Sequence, residues 1–492
     1  MTNSFNLIDE PWIPVAEVGR VSLEQVFSNP EYRTLGGNPV QKIAMLKLLL
    51  AICQSAVPLA DEKDWQALDE SRLAGRCQVY LEQWHDRFFL YGNEPFLQVP
   101  ALEQAEQKSY GALLPEVATG NTTVLTQFQH EKELDDGEKA LLLVCLMGFA
   151  LGGKKADNSA VLSPGYKGKS KAAKPGPSLA SRGLLHSFVM GSTILQTLRI
   201  NLLTQADMQH SSMFPRGIGT APWEKMVTGE DCPVARDLKR SLMGRLVPLS
   251  RFCLLRPTGM HYSEGLAHLN YQEGMYDPTV AADTSSRKTT VLWTDPEKRP
   301  WRELPALLSF ITQGRGAFDC LQLRLTLPRA ARRQDIFAVW SGGLRVSFNA
   351  GEQYVSGADD FVESEVWLRR QYLGEPWFNQ LQVEMKTLED ISKNVRSGIR
   401  AYYREQKAEG DKLAGLGVSM YWQLCERNFQ ALVDSCEPGG NSEEKRYELR
   451  RSFAAVALSA FDHFCPNDTA RQMDAWARHR PNLAPYLNKE VT

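Results

Sequence analysis

No stretch of this 492-residue chain is apolar for long enough to suggest a bilayer span. The longest hydrophobic run, residues 140–151, falls short of the roughly 18 residues required, and the run at 43–52 is broken by Lys47. The opening MTNSFNLIDEPW has neither a basic n-region nor an apolar h-region, so no secretory signal is legible and a cytoplasmic location is expected. Net charge is nearly absent: Lys+Arg 56 against Asp+Glu 58 gives −2, which excludes a supercharged chain. With 43% hydrophobic and 23% charged residues, disordered and fibrous classes are excluded too. The 9 cysteines contain no CxxC pair and read as buried thiols, so neither a disulfide frame nor a zinc ribbon is expected. The 8 histidines form no HExxH, no GxSxG occurs, and Asp462-His463 reads as a helix-face pair. With no catalytic constellation and no cofactor motif, the expectation is a binding protein, not an enzyme.

The length suggests about three domains or two large ones. Residues 5–15 (FNLIDEPWIPV), with prolines on both sides of Trp12, read as extended. Residues 40–56 carry Ile43, Leu46, Leu50 and Cys53 at helical spacing, and Pro58 stops that helix. Aromatics surround the turn 92–95 (GNEP), which predicts a tight reversal with a packed aromatic corner. A Gly/Thr/Gln loop and the charged run 131–139 precede an apolar helix at 138–151. Between 184 and 335 helical and strand-like stretches mix, and the alternation of 321–327 (LQLRLTL) predicts a half-buried strand. Alternation returns at 344–349 after Gly342-Gly343, predicting a β-hairpin with its tip near Gly351; Asp359, Asp360 and Glu363 read as its polar flank, not a cation site. After 372 the pattern becomes helical, with Leu388, Ile391, Val395, Ile399 and Tyr402 on one stripe and further helices at about 416–434, 442–464 and 468–480. No solenoid repeat is apparent. The fold class is therefore α+β: a large mixed α/β domain over 1–372 followed by a four-helix bundle over 373–492.

Positive charge is concentrated in two places. Residues 152–183 lack periodicity and hold Lys154, Lys155, Lys167, Lys169, Lys171, Lys174 and Arg182 against Asp157. Gly168-Lys169-Ser170 looks like the end of a P-loop, but Ser163 stands where the motif needs glycine, which argues against a nucleotide hydrolase or nuclease. Lysines on a glycine-punctuated backbone suit an irregular line of phosphates, with Tyr166 adding a stacking surface. The second concentration is a helical ridge of Lys386, Lys393, Arg396, Arg400, Arg404 and Lys407 at spacings of three, four and seven. Such a ridge neutralises phosphates or simply faces water. Composition alone leaves three classes open: a nucleic-acid-binding protein, a P-loop-like enzyme, and a scaffold binding only proteins.

The segments FNLIDEPWIPV (5–15), NEPFLQ (93–98), GNTTVLTQ (120–127) and SPGYKGKSKAAKPGPSLAS (163–181) together resemble the CasA family, the large subunit of the type I-E CRISPR Cascade surveillance complex. The resemblance runs on through 183–203 and GGLRVSFNAGEQ (342–353) into the terminal helices. It implies a non-catalytic subunit with the guide RNA 5′ handle, other Cascade subunits, double-stranded target DNA and a recruited helicase-nuclease as partners. Its tasks would be recognition of the protospacer-adjacent motif, duplex opening and R-loop formation, while guide pairing reads the rest of the target. By position, Thr123, Leu125, Thr126, Gln127 and Phe128 correspond to the loop at the guide handle and neighbouring subunits. Gly165, Tyr166, Lys167, Gly168, Lys169 and Lys171 fall on the family's DNA-binding glycine loop, where the interleaved lysines favour backbone grip over base reading. The hairpin corresponds to the family's wedge, with Gln353 first and Asn349 second as inserted side chain and Gly351 at the tip. Arg287 and Lys288 are candidates for its lysine finger. Lys393, Arg396, Arg400 and Arg404 would guide a separated strand. Some members carry a cysteine zinc site, but Cys253 and Cys320 stand isolated here and no zinc is expected.

Overall fold

The structure, a computed structural model, describes residues 4–114, 133–151, 183–211, 213–269, 271–312, 318–349, 352–356 and 359–487. The chain divides into two compact units, one of residues 1–301 with 315–365, the other of 302–314 with 366–492. No helix among the described residues is long and apolar enough to cross a membrane.

In the first unit the helix Pro39–Ala56 begins with Asn38 and Gln41 capping each other and Pro39 at the first turn, and it ends just before Pro58. It is buried on nearly every side, Lys47 included, so its position is fixed from all directions. Lys47 pairs closely with Asp277, and its Nζ also donates to the Arg245 carbonyl (3.2 Å). Asp277 accepts from Thr279 Oγ1 (2.6 Å), which in turn meets His186 Nδ1 at 2.8 Å. Burial pushes the Asp277 carboxyl up, but the Lys47 and His186 charges and the hydrogen bonds from Lys47 and Thr279 outweigh it and hold it at about 2. Burial, reinforced by the Arg245 charge, lowers His268 to about 3. Its Nε2 lies 2.6 Å from the Pro248 carbonyl and so donates to it as the neutral imidazole. This cluster joins the central helix to the strand His186–Met190.

That strand is the edge of a three-stranded antiparallel sheet in the order Phe361–Arg369, Ile336–Leu344, His186–Met190. Trp340 faces Phe188 in register and Gly342 faces His186, and the Ser187 and Ser341 hydroxyls meet at 2.8 Å. The expected aromatic corner is present: Phe88 and Phe96 stack at 4.8 Å with Trp223 against both, and Phe96 N–H donates to the Phe89 carbonyl across the reversal.

One element differs from expectation. Residues 321–327 are not a strand but open the helix Leu321–Arg333, whose interior Pro328 lies on its exposed side. Gln322, Leu323, Thr326, Leu327 and Ala330 form its buried face, a helical spacing that the leucine alternation disguises. The pattern misleads because polar residues are buried here with partners. Gln322 Nε2 donates to the Asn201 carbonyl (2.9 Å), while Arg329 pairs with Glu62 (2.9 Å) and Asp207 (2.8 Å) beside the Trp65 ring.

The second unit is helical: Glu375–Glu405, Asp411–Glu426, Phe429–Ser435, Ser442–Phe464 and Ala470–His479. The expected 416–434 helix is thus two helices, and the four longer helices form the bundle. Glu384, 1% exposed, receives a bidentate Arg450 (2.9 and 2.6 Å). Arg302, from the inserted 302–314 segment, stacks 3.7 Å over the Trp422 ring and pairs with Glu389 at 3.3 Å.

Candidate nucleic-acid interface

The hairpin expected around 351 is present: Ser347–Asn349 pairs antiparallel with Glu352–Tyr354, Phe348 opposite Gln353 and Asn349 opposite Glu352. Gly351 lies outside the described residues. The hairpin continues the buried strand Ile336–Leu344 and returns towards Phe361–Arg369, so its root is fastened to the sheet on both sides.

Three regions converge at that root. The first is Gly183-Leu184, where the lysine-rich segment re-enters the described chain. Thr294 N–H donates to the Gly183 carbonyl (2.6 Å), Leu185 N–H to the Leu292 carbonyl (3.1 Å), and Leu184 bridges Trp293. The second is a small hairpin pairing Ala282–Asp283 with Thr290–Val291, whose intervening loop exposes Arg287 and Lys288. The third is the end of the strand Ile336–Leu344 that leads into the hairpin, where Gly343 packs so closely on Thr294 and Leu184 that it cannot carry a side chain. A Cβ there would stand 2.4 Å from Thr294 Oγ1 and 2.7 Å from the Leu184 carbonyl. Gly183 has φ +64°, and a Cβ there would stand 3.0 Å from the Leu344 carbonyl.

Charged groups bind this junction together. Arg345 reaches Asp295 at 3.5 Å and Asp359 at 3.4 Å. Asp359, its side chain 1% exposed, accepts from Ser347 Oγ and Ser356 N–H, both at 2.7 Å. The neighbouring Glu363 takes Lys42 through both oxygens (2.9 and 2.8 Å) and the Trp340 indole N–H (3.0 Å). Asp359, Asp360 and Glu363 are thus a polar hairpin flank, and no metal-ligating cluster occurs among the described residues.

Lys386, Lys393, Arg396, Arg400 and Arg404 are exposed on the helix Glu375–Glu405 and share one arc of about 80° at 100° per residue. Lys393 pairs with Asp390 (2.8 Å), whose hydrogen bond raises its pKa, and Arg400 pairs with Asp411 (2.6 Å). Arg396 and Arg404 make no ion pair with another described residue. Asp462 is taken by Arg480 (2.8 Å) and the Trp476 indole (2.9 Å), not by His463. The candidates Thr123, Leu125, Thr126, Gln127 and Phe128, and Gly165, Tyr166, Lys167, Gly168, Lys169 and Lys171, lie outside the described residues. The convergence of 183–184, 292–295 and 343–347 has no local sequence signal, although the paired glycines at 342–343 mark the close approach in retrospect.

The sequence profile of the CRISPR-associated protein Cse1 family matches residues 6–460. The chain belongs to this family. A CRISPR-associated protein CasA/Cse1 from Thermus thermophilus is 37% identical over 164 residues, a stretch that covers 30% of this chain and 32% of that protein. The chain therefore matches about a third of that relative's length. The fold is shared along the whole chain with Thermobifida fusca Cse1 (TM-score 0.77, 20% identity, 99% of this chain and 98% of the other). It is shared likewise with a chain of a CRISPR RNA-guided surveillance complex (TM-score 0.72, 18% identity, 99% and 100%). These likenesses establish the Cse1 fold of both units.

Proposed function

We propose that this Cse1 chain is the non-catalytic large subunit of a type I-E CRISPR surveillance complex, working in the cytoplasm. In this reading it recognises the protospacer-adjacent motif in double-stranded DNA, promotes duplex opening and R-loop formation, and helps recruit the helicase-nuclease. The observation that supports it most is the junction at the hairpin root. There an antiparallel hairpin, an exposed Arg287–Lys288 loop and the exit of a lysine-rich segment share one backbone framework. A projecting hairpin beside cationic loops suits a duplex whose backbone is held while one base step is separated.

Within that reading, Gln353 fills the vacated stack, Asn349 supports it and Gly351 lets the tip approach. The Gly165–Lys171 loop grips backbone together with Arg287 and Lys288. The 123–128 loop contacts the guide RNA 5′ handle and other subunits, and the Lys393–Arg404 ridge guides a separated strand. The test is strand opening in a guide-loaded complex, followed by 2-aminopurine fluorescence at the first target base pairs. Gln353→Ala is expected to slow opening while flanking-motif binding persists. Unchanged opening contradicts the wedge assignment, and salt-insensitive association without any effect on DNA supports a scaffold instead.

A further inference from the structure

We infer that Asp359 is the positioning residue of the hairpin, setting the angle at which it leaves the sheet; the inference rests on the wedge reading above. A ladder of three residue pairs, 347–349 against 352–354, is too short to hold its own direction, since two-stranded hairpins are marginal in water. Direction must come from the root, and there one carboxylate holds both feet. Asp359 Oδ2 accepts from Ser347 Oγ on the outgoing strand and from Ser356 N–H after the returning one, both at 2.7 Å. The two serine hydroxyls lie 3.3 Å apart, and Asp359 N–H donates to the Ser356 carbonyl (3.0 Å).

The other oxygen, Oδ1, is buried without a hydrogen bond and has the Arg345 Nε at 3.4 Å. Arg345 is 42% exposed, so it is not a packed core residue, and its second carboxylate, Asp295, lies just beyond the strand that returns from the Arg287–Lys288 loop. Its backbone N–H donates to the Asp360 carbonyl (3.1 Å). Arg345 and Asp359 therefore couple the hairpin root to the root of the cationic loop. A buried carboxylate is costly unless it is hydrogen-bonded. This one places its bonds across the feet of a hairpin, not across the core. A side chain that must offset the cost of an unstacked step is useful only if its mount holds its angle when loaded.

The experiment compares guide-loaded complexes carrying Asp359→Ala, Asp359→Asn, Ser347→Ala or Gln353→Ala. Opening is read by 2-aminopurine fluorescence on a fully paired target and on one pre-opened by a mismatched bubble beside the flanking motif. Asp359→Ala is expected to slow opening of the paired target about tenfold, to leave flanking-motif affinity within about twofold, and to recover on the bubble. Asp359→Asn, which keeps an acceptor oxygen, and Ser347→Ala, which keeps the carboxylate, are expected to give smaller losses with the same bubble recovery. Wild-type opening by Asp359→Ala alongside a defective Gln353→Ala overturns the positioning role and leaves the wedge standing. Equal loss on paired and bubble targets marks Asp359 as merely structural and overturns it as well. Normal opening by Gln353→Ala removes the wedge and, with it, the role assigned to Asp359. If Asp359→Ala does not fold, Ser347→Ala carries the same decision.

Discussion

Asp277 and Asp359 are both carboxylates withdrawn from water, with side chains 3% and 1% exposed, yet they do different work in the first unit. The charge partner of Asp277, Lys47 on the central helix, comes from a distant part of the chain, and the adjacent Thr279 links Asp277 on to His186 at the sheet edge. The hydrogen-bond partners of Asp359 lie within a dozen residues of it, on the feet of one hairpin. The first carboxylate ties the fold together and the second aims a part of it. Burial alone does not say what a charge is for; the elements that its partners join do.

The largest expected effect breaks the interior member of the pair. Asp277→Ala leaves Lys47 buried beside Arg245 with no counter-charge and should cost about 3–5 kcal/mol in urea unfolding. A loss below about 1 kcal/mol would mean that the cluster is not the fastening described. Asp359→Ala, by contrast, should cost about 1–2 kcal/mol of stability, because its site lies at the rim and its partners can turn to water.

Acid should find the interior first. His268 is held neutral, at about 3 against an ordinary 6.5. Between those values the unfolded chain binds a proton that the folded chain refuses, so stability falls as pH drops from 6.5 to 3. Asp277, at about 2 against 3.8, adds a further loss as pH falls from about 4 to 2. Denaturant midpoints measured across pH 7 to 3 should slope downward from 6.5, and His268→Gln should flatten that limb.

The same contrast applies to surface charge. Lys393 and Arg400 already hold Asp390 and Asp411, whereas Arg396 and Arg404 hold no carboxylate among the described residues. A paired cation must release its carboxylate before it meets a phosphate. Arg396→Glu with Arg400→Glu should weaken R-loop formation more than initial motif binding; equal loss of both, or of neither, removes the strand-guiding role. Smaller still, Arg287→Ala with Lys288→Ala should lower the salt slope of duplex binding by about 0.9 for each phosphate that is no longer neutralised.

Much of this was legible from residue patterns. The apolar stripe Leu388 to Tyr402 marks its helix because that helix packs along one face, and alternation after Gly342-Gly343 marks the hairpin. The same logic misreads 321–327, where Gln322 and Arg329 are buried with partners and the spacing of leucines imitates a strand. Pairings between 183–185 and 292–294, and their close approach to 343–345, join segments far apart in sequence, and no local period records them. Asp359 is visible as a polar flank, but its hold on Ser347 and Ser356 emerges only when both feet of the hairpin stand beside it. Arg302 is similar, since a basic residue in mid-chain gives no hint that its segment belongs with Trp422 and Glu389 in the helical unit.

The most direct test of the central claim is binding of the guide-loaded complex, with and without this subunit, to target duplexes whose three flanking base pairs are varied, at two salt concentrations. The subunit is expected to create a preference among flanks that survives at the higher salt while overall affinity falls. Affinity raised equally on every flank would contradict it, reducing the junction of hairpin, loop and lysine-rich segment to a clamp on the DNA backbone.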